Sequence, residues 1–288
     1  MKKRELKLAD RSIETERPAF IMGIVNCTPD SFYPGSRGGR DLAFKCIDEG
    51  ADILDLGGES TRPGAGYIDE KEEIERIVPV LREIRKRSDI AVSIDTRKKK
   101  VMEAAFEEGA DILNDVSALE DDSEMASFAA ARRIPVILMH KRGSSADMQK
   151  NTEYGDVFRE VDSYLSKRVQ HALDEGIDPD KIILDPGIGF GKDLKGNLEL
   201  MKKCGRLCGG KYPLLMALSR KSCIGELTGK EVSDRLYGTL AADLFSILYG
   251  AKLVRVHDVG PYADTLSVMS ALGLESGVLR GGSGKEEF

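Results

Sequence analysis

Polar or charged side chains end most of the apolar strand candidates in this sequence. The run Ile182-Ile-Leu184 stops on Asp185, and the run Ile90-Ala-Val-Ser-Ile94 stops on Asp95. A carboxylate at the mouth of an apolar strand costs free energy unless something pairs with it. The other residues of this kind are Asn26, Asn114, Lys221, Arg255 and His257. Any one of them could be a helix cap or could brace a neighbour, but together they predict one shared site.

Asp95, Asn114, Asp185 and Lys221 offer the groups that would bind a neutral heterocycle. Carboxylates pair with amidine-like edges, and an amide both donates and accepts hydrogen bonds. Lys221 adds a donor for a carbonyl or a ring nitrogen, although a lysine after a strand can also be simply solvated. The set predicts a ring bound at the ends of the strands.

Arg255 and His257 are two residues apart on one strand, so their side chains share a face. Together with Arg62 they form a candidate anion site that suits a phosphate, unless Arg62 is an exposed loop residue. The glycine-rich run 187–191 is not a P-loop, because Lys192 is followed by Asp193 rather than by Ser or Thr. The combination predicts a bound ring that carries a phosphorylated arm.

Apolar strand candidates alternate with helical stretches along the chain. Strands are predicted at 19–25, 51–56, 90–94, 111–113, 135–139, 182–184, 213–218 and 252–256, with helices that include 41–49, 70–87, 97–108, 156–175 and 233–249. The segments Glu49-Gly-Ala-Asp-Ile-Leu-Asp55 and Glu108-Gly-Ala-Asp-Ile-Leu-Asn114 repeat one helix–glycine–strand unit. A doubly wound open sheet is the alternative, but eight regular repeats favour a single-domain α/β fold, the (β/α)8 TIM barrel. We expect an N-terminal arm at 1–18, the barrel at 19–275 and a flexible tail at 276–288.

Composition narrows the class of protein. The chain has 288 residues, of which 41% are hydrophobic and 32% charged, and a net charge of −6 argues against nucleic acid as the main partner. Five cysteines, an odd number, argue against a disulfide framework and for a reducing compartment. Cys204 and Cys208 could pair on a metal, but no His or Cys lies near them in sequence. No apolar run reaches membrane length and the N-terminus lacks a signal-peptide core, so we expect a cytoplasmic protein without a membrane partner.

The segments that end the strands resemble those of the dihydropteroate synthase family of folate biosynthesis. The matching motifs include Asp185-Pro-Gly-Ile-Gly-Phe-Gly-Lys192 and Ser219-Arg-Lys-Ser222. The others lie at 22–32, 57–64, 93–96, 114–116, 139–140 and 255–259, in the family's order. The resemblance implies a (β/α)8 homodimer, a sulfonamide target, that joins 6-hydroxymethyl-7,8-dihydropterin diphosphate to para-aminobenzoate with magnesium (Mg²⁺). The products would be 7,8-dihydropteroate and pyrophosphate.

The resemblance also implies a role for each candidate residue. The pterin would be held by Asp95, Asn114, Asp185 and Lys221, of which Lys221, Asp185 and Asp95 would be catalytic. The diphosphate would be held by Arg255, His257 and Asn26, with Asn26 beside the magnesium. The aminobenzoate would be bordered by Thr61, Arg62, Pro63 and Ser222. Pyrophosphate would leave first, and the amine would attack a cation delocalised into the pterin.

The chain departs from the usual family pattern in two places. Tyr33-Pro-Gly-Ser36 stands where the family commonly has Ser-Asp-Gly-Gly, and Lys141 stands where an apolar residue is common. Two rival functions remain open: a related barrel that holds methyl-tetrahydrofolate for a corrinoid protein, and a paralogue that binds pterin without catalysis. The motifs Ser219-Arg-Lys-Ser222 and Thr61-Arg-Pro63 argue against the first, which has no aminobenzoate to position.

Overall fold

The computed structural model describes residues 3–27, 39–59, 66–143 and 152–279. Within these residues the chain begins with an antiparallel hairpin of β1 (Arg4–Lys7) and β2 (Ser12–Thr15). The remaining strands are parallel to their neighbours: β3 (Phe20–Asn26), β4 (Ile53–Gly57), β5 (Ala91–Asp95), β6 (Ile112–Asp115), β7 (Val136–Met139), β8 (Ile182–Asp185), β9 (Leu215–Met216) and β10 (Leu253–Val256).

The parallel strands form a barrel. Their order is β8-β7-β6-β5-β4-β3-β10-β9, and a parallel bridge between Leu184 and Leu214 joins the first strand to the residues just before the last. The helices are α1 (Gly39–Asp48), α2 (Glu70–Arg85), α3 (Lys99–Glu107), α4 (Met125–Ala131), α5 (Val157–Asp174), α6 (Leu194–Lys203), α7 (Ser222–Thr228), α8 (Leu236–Leu248) and α9 (Val259–Ala271). The predicted (β/α)8 barrel is confirmed. The open-sheet alternative is wrong, since its edge strands would not meet.

Side chains that point into the barrel form an apolar layer near the amino ends of the strands. Each of the eight strands contributes one residue to this layer, except that β3 contributes two at the spacing of two that a strand requires. Its members are Phe20, Met22, Ile53, Ala91, Ile112, Ile137, Ile183, Leu215 and Leu253. Leu6 and Leu8, from the N-terminal hairpin, are buried against the same cluster. The hairpin therefore covers the end of the barrel opposite the carboxyl ends of its strands.

The repeated helix–glycine–strand unit has the same structure in both copies. Gly50 and Gly109 have φ of 90° and 93°, a left-handed conformation that favours glycine and ends each helix. Two residues after each glycine, an aspartate binds the backbone of the preceding strand. Asp52 accepts from the N–H of Ile21 at 2.7 Å, and Asp111 accepts from the N–H of Val92 at 2.9 Å. The repeat thus sets the position of each new strand beside the previous one.

Most observed boundaries lie within two or three residues of those predicted. The largest difference is the seventh barrel strand, predicted at 213–218 and observed only at Leu215–Met216. Pro213 has no N–H to donate, which shortens the start of the ladder.

At the other end of the chain, the N–H groups of Gly277 and Leu279 donate to carbonyls at the end of α8. The described residues include no helix long and apolar enough to cross a membrane.

A buried acid lies between α8 and α9. Asp243 is fully buried, and the hydroxyl of Tyr262 donates to its Oδ2. Its Oδ1 finds no hydrogen-bond partner among the described residues. Burial raises the pKa of Asp243 to about 8, against the opposing effects of the Tyr262 hydroxyl and the Lys221 ammonium. The folded protein therefore keeps a proton on Asp243 through most of the neutral range.

We predict that Asp243→Asn reduces the pH dependence of stability. An unfolded aspartate ionises near about 3.9, so between that pH and about 8 the unfolded chain releases a proton that the native chain retains. The free energy of unfolding of the natural sequence should then fall as pH rises through this window, by at most about 1.4 kcal/mol per pH unit. Urea unfolding at several pH values measures the slope. The exposed Asp264→Asn is the control, and equal slopes in the two variants would contradict the assignment.

Candidate active site

Strand alternation brings the polar rim residues to the inside of the barrel. On β4, Ile53 belongs to the inner apolar layer, and Asp55 points the same way two residues later. The same step leads to Asn114 on β6, Asp185 on β8 and Arg255 on β10. One further step leads to Asp95 on β5 and to His257 just beyond β10. The predicted residues therefore lie at the carboxyl ends of the strands, where barrels of this kind place reactive groups.

Asp55 is the centre of a hydrogen-bonded network at this rim. Its side chain is 0% exposed, and its Oδ2 accepts from Arg255 Nε at 2.6 Å. Asn114 Nδ2 donates to the two carboxylate oxygens at 3.3 and 3.2 Å. Arg255 Nη2 also donates to Asp95 Oδ2 at 2.9 Å. One buried carboxylate thus orients two predicted site residues and, through Arg255, a third.

Sequence reasoning did not single out Asp55, because it lies inside an apolar run rather than after it. The signal that could have found it is the internal repeat, in which Asp55 occupies the position of Asn114. Equivalent positions in alternate βα units point to the same side of the barrel. The polarity of both residues therefore marks one inward-facing layer.

The carboxylates of the site have unusual acidities. Burial raises the pKa of Asp95 to about 7, and the Arg255 guanidinium opposes that rise. Burial also raises the pKa of Asp185, against the Lys221 ammonium and the N–H of Gly187. Perturbed acidity at the mouth of a barrel is typical of a functional site. Asp95 can therefore gain or lose a proton near neutral pH.

Asp185 and Lys221 meet the same glycine-rich turn. Asp185 Oδ1 accepts from the N–H of Gly187 at 2.7 Å, and Lys221 Nζ donates to the carbonyl of Ile188. The Lys221 ammonium lies 4.9 Å from the ring centroid of Phe190. Burial lowers the pKa of Lys221 to about 8, and Asp185 opposes the change. Lys221 is therefore not a solvated surface lysine, and it can supply either a charged or a neutral amine near neutral pH.

His257 lies just after β10, and Ser219 positions it. Its Nδ1 is 2.9 Å from Ser219 Oγ, and its backbone N–H donates to the same oxygen at 3.2 Å. Arg255, two residues earlier, is paired with two carboxylates in this structure. The roles of Arg255 and His257 in binding a diphosphate stay predictions.

The aminobenzoate side of the site is described only in part. Ser222 is exposed at the first turn of α7, next to Lys221. Thr61, Arg62 and Pro63 lie outside the described residues, and so does the departure at 33–36. Lys141, the second departure, forms an ion pair with Asp121 at 3.2 Å. The border of the second substrate stays a prediction.

Asn26 offers one oxygen ligand at the end of β3, where it pairs in register with Gly57 of β4. The described part of the chain contains no group of three or more His, Cys, Asp or Glu residues that could hold a metal by themselves. Mg²⁺ is commonly held by one or two protein oxygens together with substrate phosphates and water. A single amide oxygen beside a diphosphate fits that pattern, and it does not fit a preformed all-protein metal cage.

Comparison with known families defines the class of protein. A sequence model described as "Pterin binding enzyme" matches residues 22–257, which span the barrel from within β3 to just beyond β10. Asp95, Asn114, Asp185, Lys221, Arg255 and His257 all lie inside the match. The chain is therefore a member of the pterin-binding enzymes.

Individual relatives narrow this class to one family. A dihydropteroate synthase of Neisseria meningitidis is 45% identical over 265 residues, covering 88% of this chain and 93% of that protein. The dihydropteroate synthase of Escherichia coli is 38% identical over 265 residues, covering 90% and 93%. The chain belongs to the dihydropteroate synthase family.

Solved structures agree with this assignment. Dihydropteroate synthase of Xanthomonas albilineans with 4-aminobenzoic acid is 41% identical, with a TM-score of 0.87 over 94% of this chain and 99% of that one. The same enzyme in complex with 7,8-dihydropteroate superimposes with a TM-score of 0.84 at 38% identity, over 94% and 99% of the two chains. The synthase of Yersinia pestis in a sulfonamide drug complex gives 0.87 at 33% identity, over 94% and 99%.

We predict that Asp55 and Arg255 are strongly coupled. Asp55→Asn leaves the half-buried Arg255 guanidinium with one carboxylate partner, and breaking a buried ion pair costs up to about 3–5 kcal/mol. Asp55→Asn combined with Arg255→Met should cost much less than the sum of the single changes, with a coupling of about 1–3 kcal/mol. Urea unfolding of the four proteins measures it. The exposed Asp10→Asn is the control, and additive effects would contradict the network.

Proposed function

We propose that the rim of this barrel joins 6-hydroxymethyl-7,8-dihydropterin diphosphate to para-aminobenzoate, giving 7,8-dihydropteroate and pyrophosphate. The reaction is a transfer that forms a C–N bond. The observation that carries the proposal is the placement of Asp95, Asn114, Asp185 and Lys221 at one barrel rim, in a chain 38–45% identical to dihydropteroate synthases over most of its length.

The pterin ring suits the acceptors and donors of the rim. Its amino-pyrimidine edge presents N–H groups, and Asp185 offers a buried carboxylate that can accept from them. Asn114 can both donate and accept, and its orientation is set by Asp55. Lys221 offers a donor to a ring nitrogen or carbonyl.

The diphosphate would lie toward Asn26, Arg255 and His257. Arg255 carries a permanent positive charge, which attracts the anion even while the side chain bonds Asp55 and Asp95. The hydrogen bond between Ser219 Oγ and His257 Nδ1 fixes the orientation of the imidazole ring. A bound Mg²⁺, beside Asn26, would neutralise phosphate charge on the leaving group.

In the proposed mechanism the C–O bond to the diphosphate breaks first, and its electron pair leaves with pyrophosphate. The resulting cation is delocalised into the pterin and lies close to carboxylates such as Asp185. The amine nitrogen of para-aminobenzoate then forms the new bond to the exocyclic carbon and loses a proton. Fixed charges in a site that excludes water stabilise both the leaving anion and the cation.

The second substrate would be bordered by Thr61, Arg62 and Ser222. Para-aminobenzoate as the second substrate is supported by the Xanthomonas albilineans synthase with 4-aminobenzoic acid and by the Yersinia pestis synthase with a sulfonamide drug, whereas the three bordering residues are predicted from the sequence. We infer that sulfonamides compete with para-aminobenzoate for this chain as well. A methyl-tetrahydrofolate carrier would show no such competition, and a pterin-binding paralogue would show no turnover.

We also propose a homodimer that buries an apolar face of α8 and α9. Tyr237, Ala241 and Phe245 are exposed at intervals of four on α8. Val268 on α9 and Leu272, the residue just after α9, are 60% and 70% exposed at the same interval. Several large apolar side chains exposed on neighbouring turns are typical of an interface between protein chains. A second copy of the chain presents the same surface, as a two-fold dimer requires.

We further infer a cytoplasmic location and no nucleic-acid partner. The cysteines at 27, 46, 204, 208 and 223 are free thiols, and all but Cys208 are buried. Free thiols suit a reducing compartment. The net charge of −6 disfavours binding to a phosphate backbone.

The reaction itself is tested by pyrophosphate release. Release from the pterin diphosphate should require para-aminobenzoate, and pteroate should form in equal amount. Asp185→Asn should raise the KM for the pterin about tenfold or more, because a donor would face the N–H groups of the ring. Lys221→Ala should reduce kcat severely, whereas the exposed Lys211→Ala should not. Release that does not depend on aminobenzoate, or normal turnover in Lys221→Ala, would reject the proposal.

The same assay tests the metal. Removal of Mg²⁺ by EDTA should abolish release, and added Mg²⁺ should restore it. Asn26→Ala should raise the Mg²⁺ concentration needed for half-maximal rate and should weaken pyrophosphate binding measured by calorimetry in the presence of Mg²⁺. Calorimetry that shows equal pyrophosphate affinity in Asn26→Ala would remove Asn26 from the metal site.

The dimer is tested with Leu272→Asp. A charge buried in an apolar interface without a partner is unfavourable, so the variant should be monomeric. Analytical ultracentrifugation of the natural sequence and the variant decides between the two states. Lys71→Asp on α2 adds an exposed acid on another helix and should leave the dimer intact. A dimeric Leu272→Asp would exclude this face.

A further inference from the structure

Lys192 is a buried lysine that the proposed mechanism does not use. Its side chain is 3% exposed, although lysine is among the residues least often buried. Nζ donates to the carbonyls of Gly187 at 2.8 Å and Phe190 at 2.9 Å. It is also 2.9 Å from Nδ1 of His140. No described carboxylate forms an ion pair with it, so these neutral acceptors account for its burial.

His140 completes the surroundings of Lys192. Burial lowers the pKa of His140 to about 3, with a further contribution from the Lys192 charge, so its imidazole is neutral. A neutral imidazole can accept the Lys192 proton at Nδ1. An apolar side chain of similar length would fill the same volume without the cost of burying an amine. The presence of a lysine at this position is therefore explained by the carbonyls that its amine binds and not by the volume of its side chain.

Three of the five residues in the turn at 187–191 are glycines, so only Ile188, which is buried in the core, and Phe190 can anchor it by side chains. Gly187 has φ of 64°, and a Cβ there would come within 1.8 Å of the carbonyl oxygen of His140. A Cβ on Gly191 would come within 2.6 Å of the carbonyl oxygen of Arg142. The turn is thus pressed against the backbone that follows β7. Polar contacts with its peptide groups therefore act together with the buried Ile188 side chain in fixing its shape.

These peptide groups connect Lys192 with the two residues that face the pterin. The N–H of Gly187 donates to Asp185, and the carbonyl of the same residue accepts from Lys192. The carbonyl of Ile188, next in the chain, accepts from Lys221. A shift of the turn would therefore displace a partner of Asp185 and a partner of Lys221 together.

We propose that Lys192 is a positioning residue of the pterin site, which holds the turn at 187–191 in the shape that places Asp185 and Lys221 against the ring. The inference rests on the proposed function for the identity of the ligand. Lys192 does not touch the substrate and acts through the turn. Its effect should thus be specific to the pterin and absent for para-aminobenzoate.

Lys192→Met tests this role, with the exposed Lys195→Met on the first turn of α6 as the matched control. Because a methionine cannot donate to the carbonyls of the turn, the KM for the pterin diphosphate should rise about tenfold. The KM for para-aminobenzoate at saturating pterin should change by less than about twofold. A variant that lowers kcat and raises both KM values equally, like a general loss of folded protein, would overturn the proposal.

A double variant separates positioning from stability. If Lys192 acts through the turn that Lys221 also binds, Lys192→Met should add little to the loss of pterin affinity caused by Lys221→Met. Additive losses would show an independent effect and would overturn the proposal. If Lys192→Met fails to fold, Lys192→Gln, whose amide has two N–H donors for the three acceptors that Lys192 binds, should weaken pterin binding in the same direction.

Calorimetry with 6-hydroxymethylpterin measures pterin binding without turnover. It therefore tests the role of Lys192 separately from the proposed reaction. Absence of pyrophosphate release by the natural sequence would reject the proposed function. Normal release by the natural sequence, together with equal pterin affinity in Lys192→Met and Lys195→Met, would reject the role of Lys192 alone.

Discussion

The site depends on the pairing of Arg255 with the buried carboxylate of Asp55. A guanidinium inside a barrel is stable only where carboxylates balance it, and Asp55 and Asp95 do so from neighbouring strands. Asp55 also binds Asn114, so one carboxylate links β4, β6 and β10, and Arg255 extends the link to β5. Side chains that would otherwise repel or rotate are thereby held in one arrangement around the space for a ligand.

The apolar layer next to this network strengthens the interactions between its charges. Inward-facing residues such as Met22, Ile53 and Ile183 fill the barrel, and Leu6 and Leu8 cover its far end. The apolar layer excludes water from the side of the rim that faces the amino ends of the strands. Solvent can therefore screen the rim charges only from the side of the carboxyl ends. The raised pKa of Asp95, to about 7, and the lowered pKa of Lys221, to about 8, follow from the same burial. The fold thus brings the pKa values of one acid and one base close to neutral pH. Both groups lie where charge would develop during the reaction.

A second network holds the other side of the site. Lys192 and Lys221 bind successive carbonyls of the turn at 187–191, and Asp185 binds its first N–H. The glycines of the turn are required by its left-handed conformation and by its approach to the backbone at 140–142. The two networks meet different edges of the rim, so each can orient its own part of a ligand.

Much of the fold could be predicted because the relevant signals are local. Strand runs, glycine ends such as Gly50 and Gly109, and the polar residue after each strand are all visible within a few residues. The repeat was enough to predict the barrel, and the barrel was enough to place Asp95, Asn114 and Asp185 at one rim. The short β9 was overestimated because an apolar run does not show where its hydrogen-bond partners end.

The sequence by itself determined the alternation of strands and helices, the inward and outward faces of each strand, and the residue types available at the rim. These properties follow from backbone periodicity and burial, which act over short distances along the chain. Only the tertiary structure decided which of these residues pair. Arg255 and Asp55 are separated by 200 residues, and Lys192 and His140 by 52. Their contacts depend on the closure of the barrel, because Coulombic and hydrogen-bonding forces select partners by distance in space.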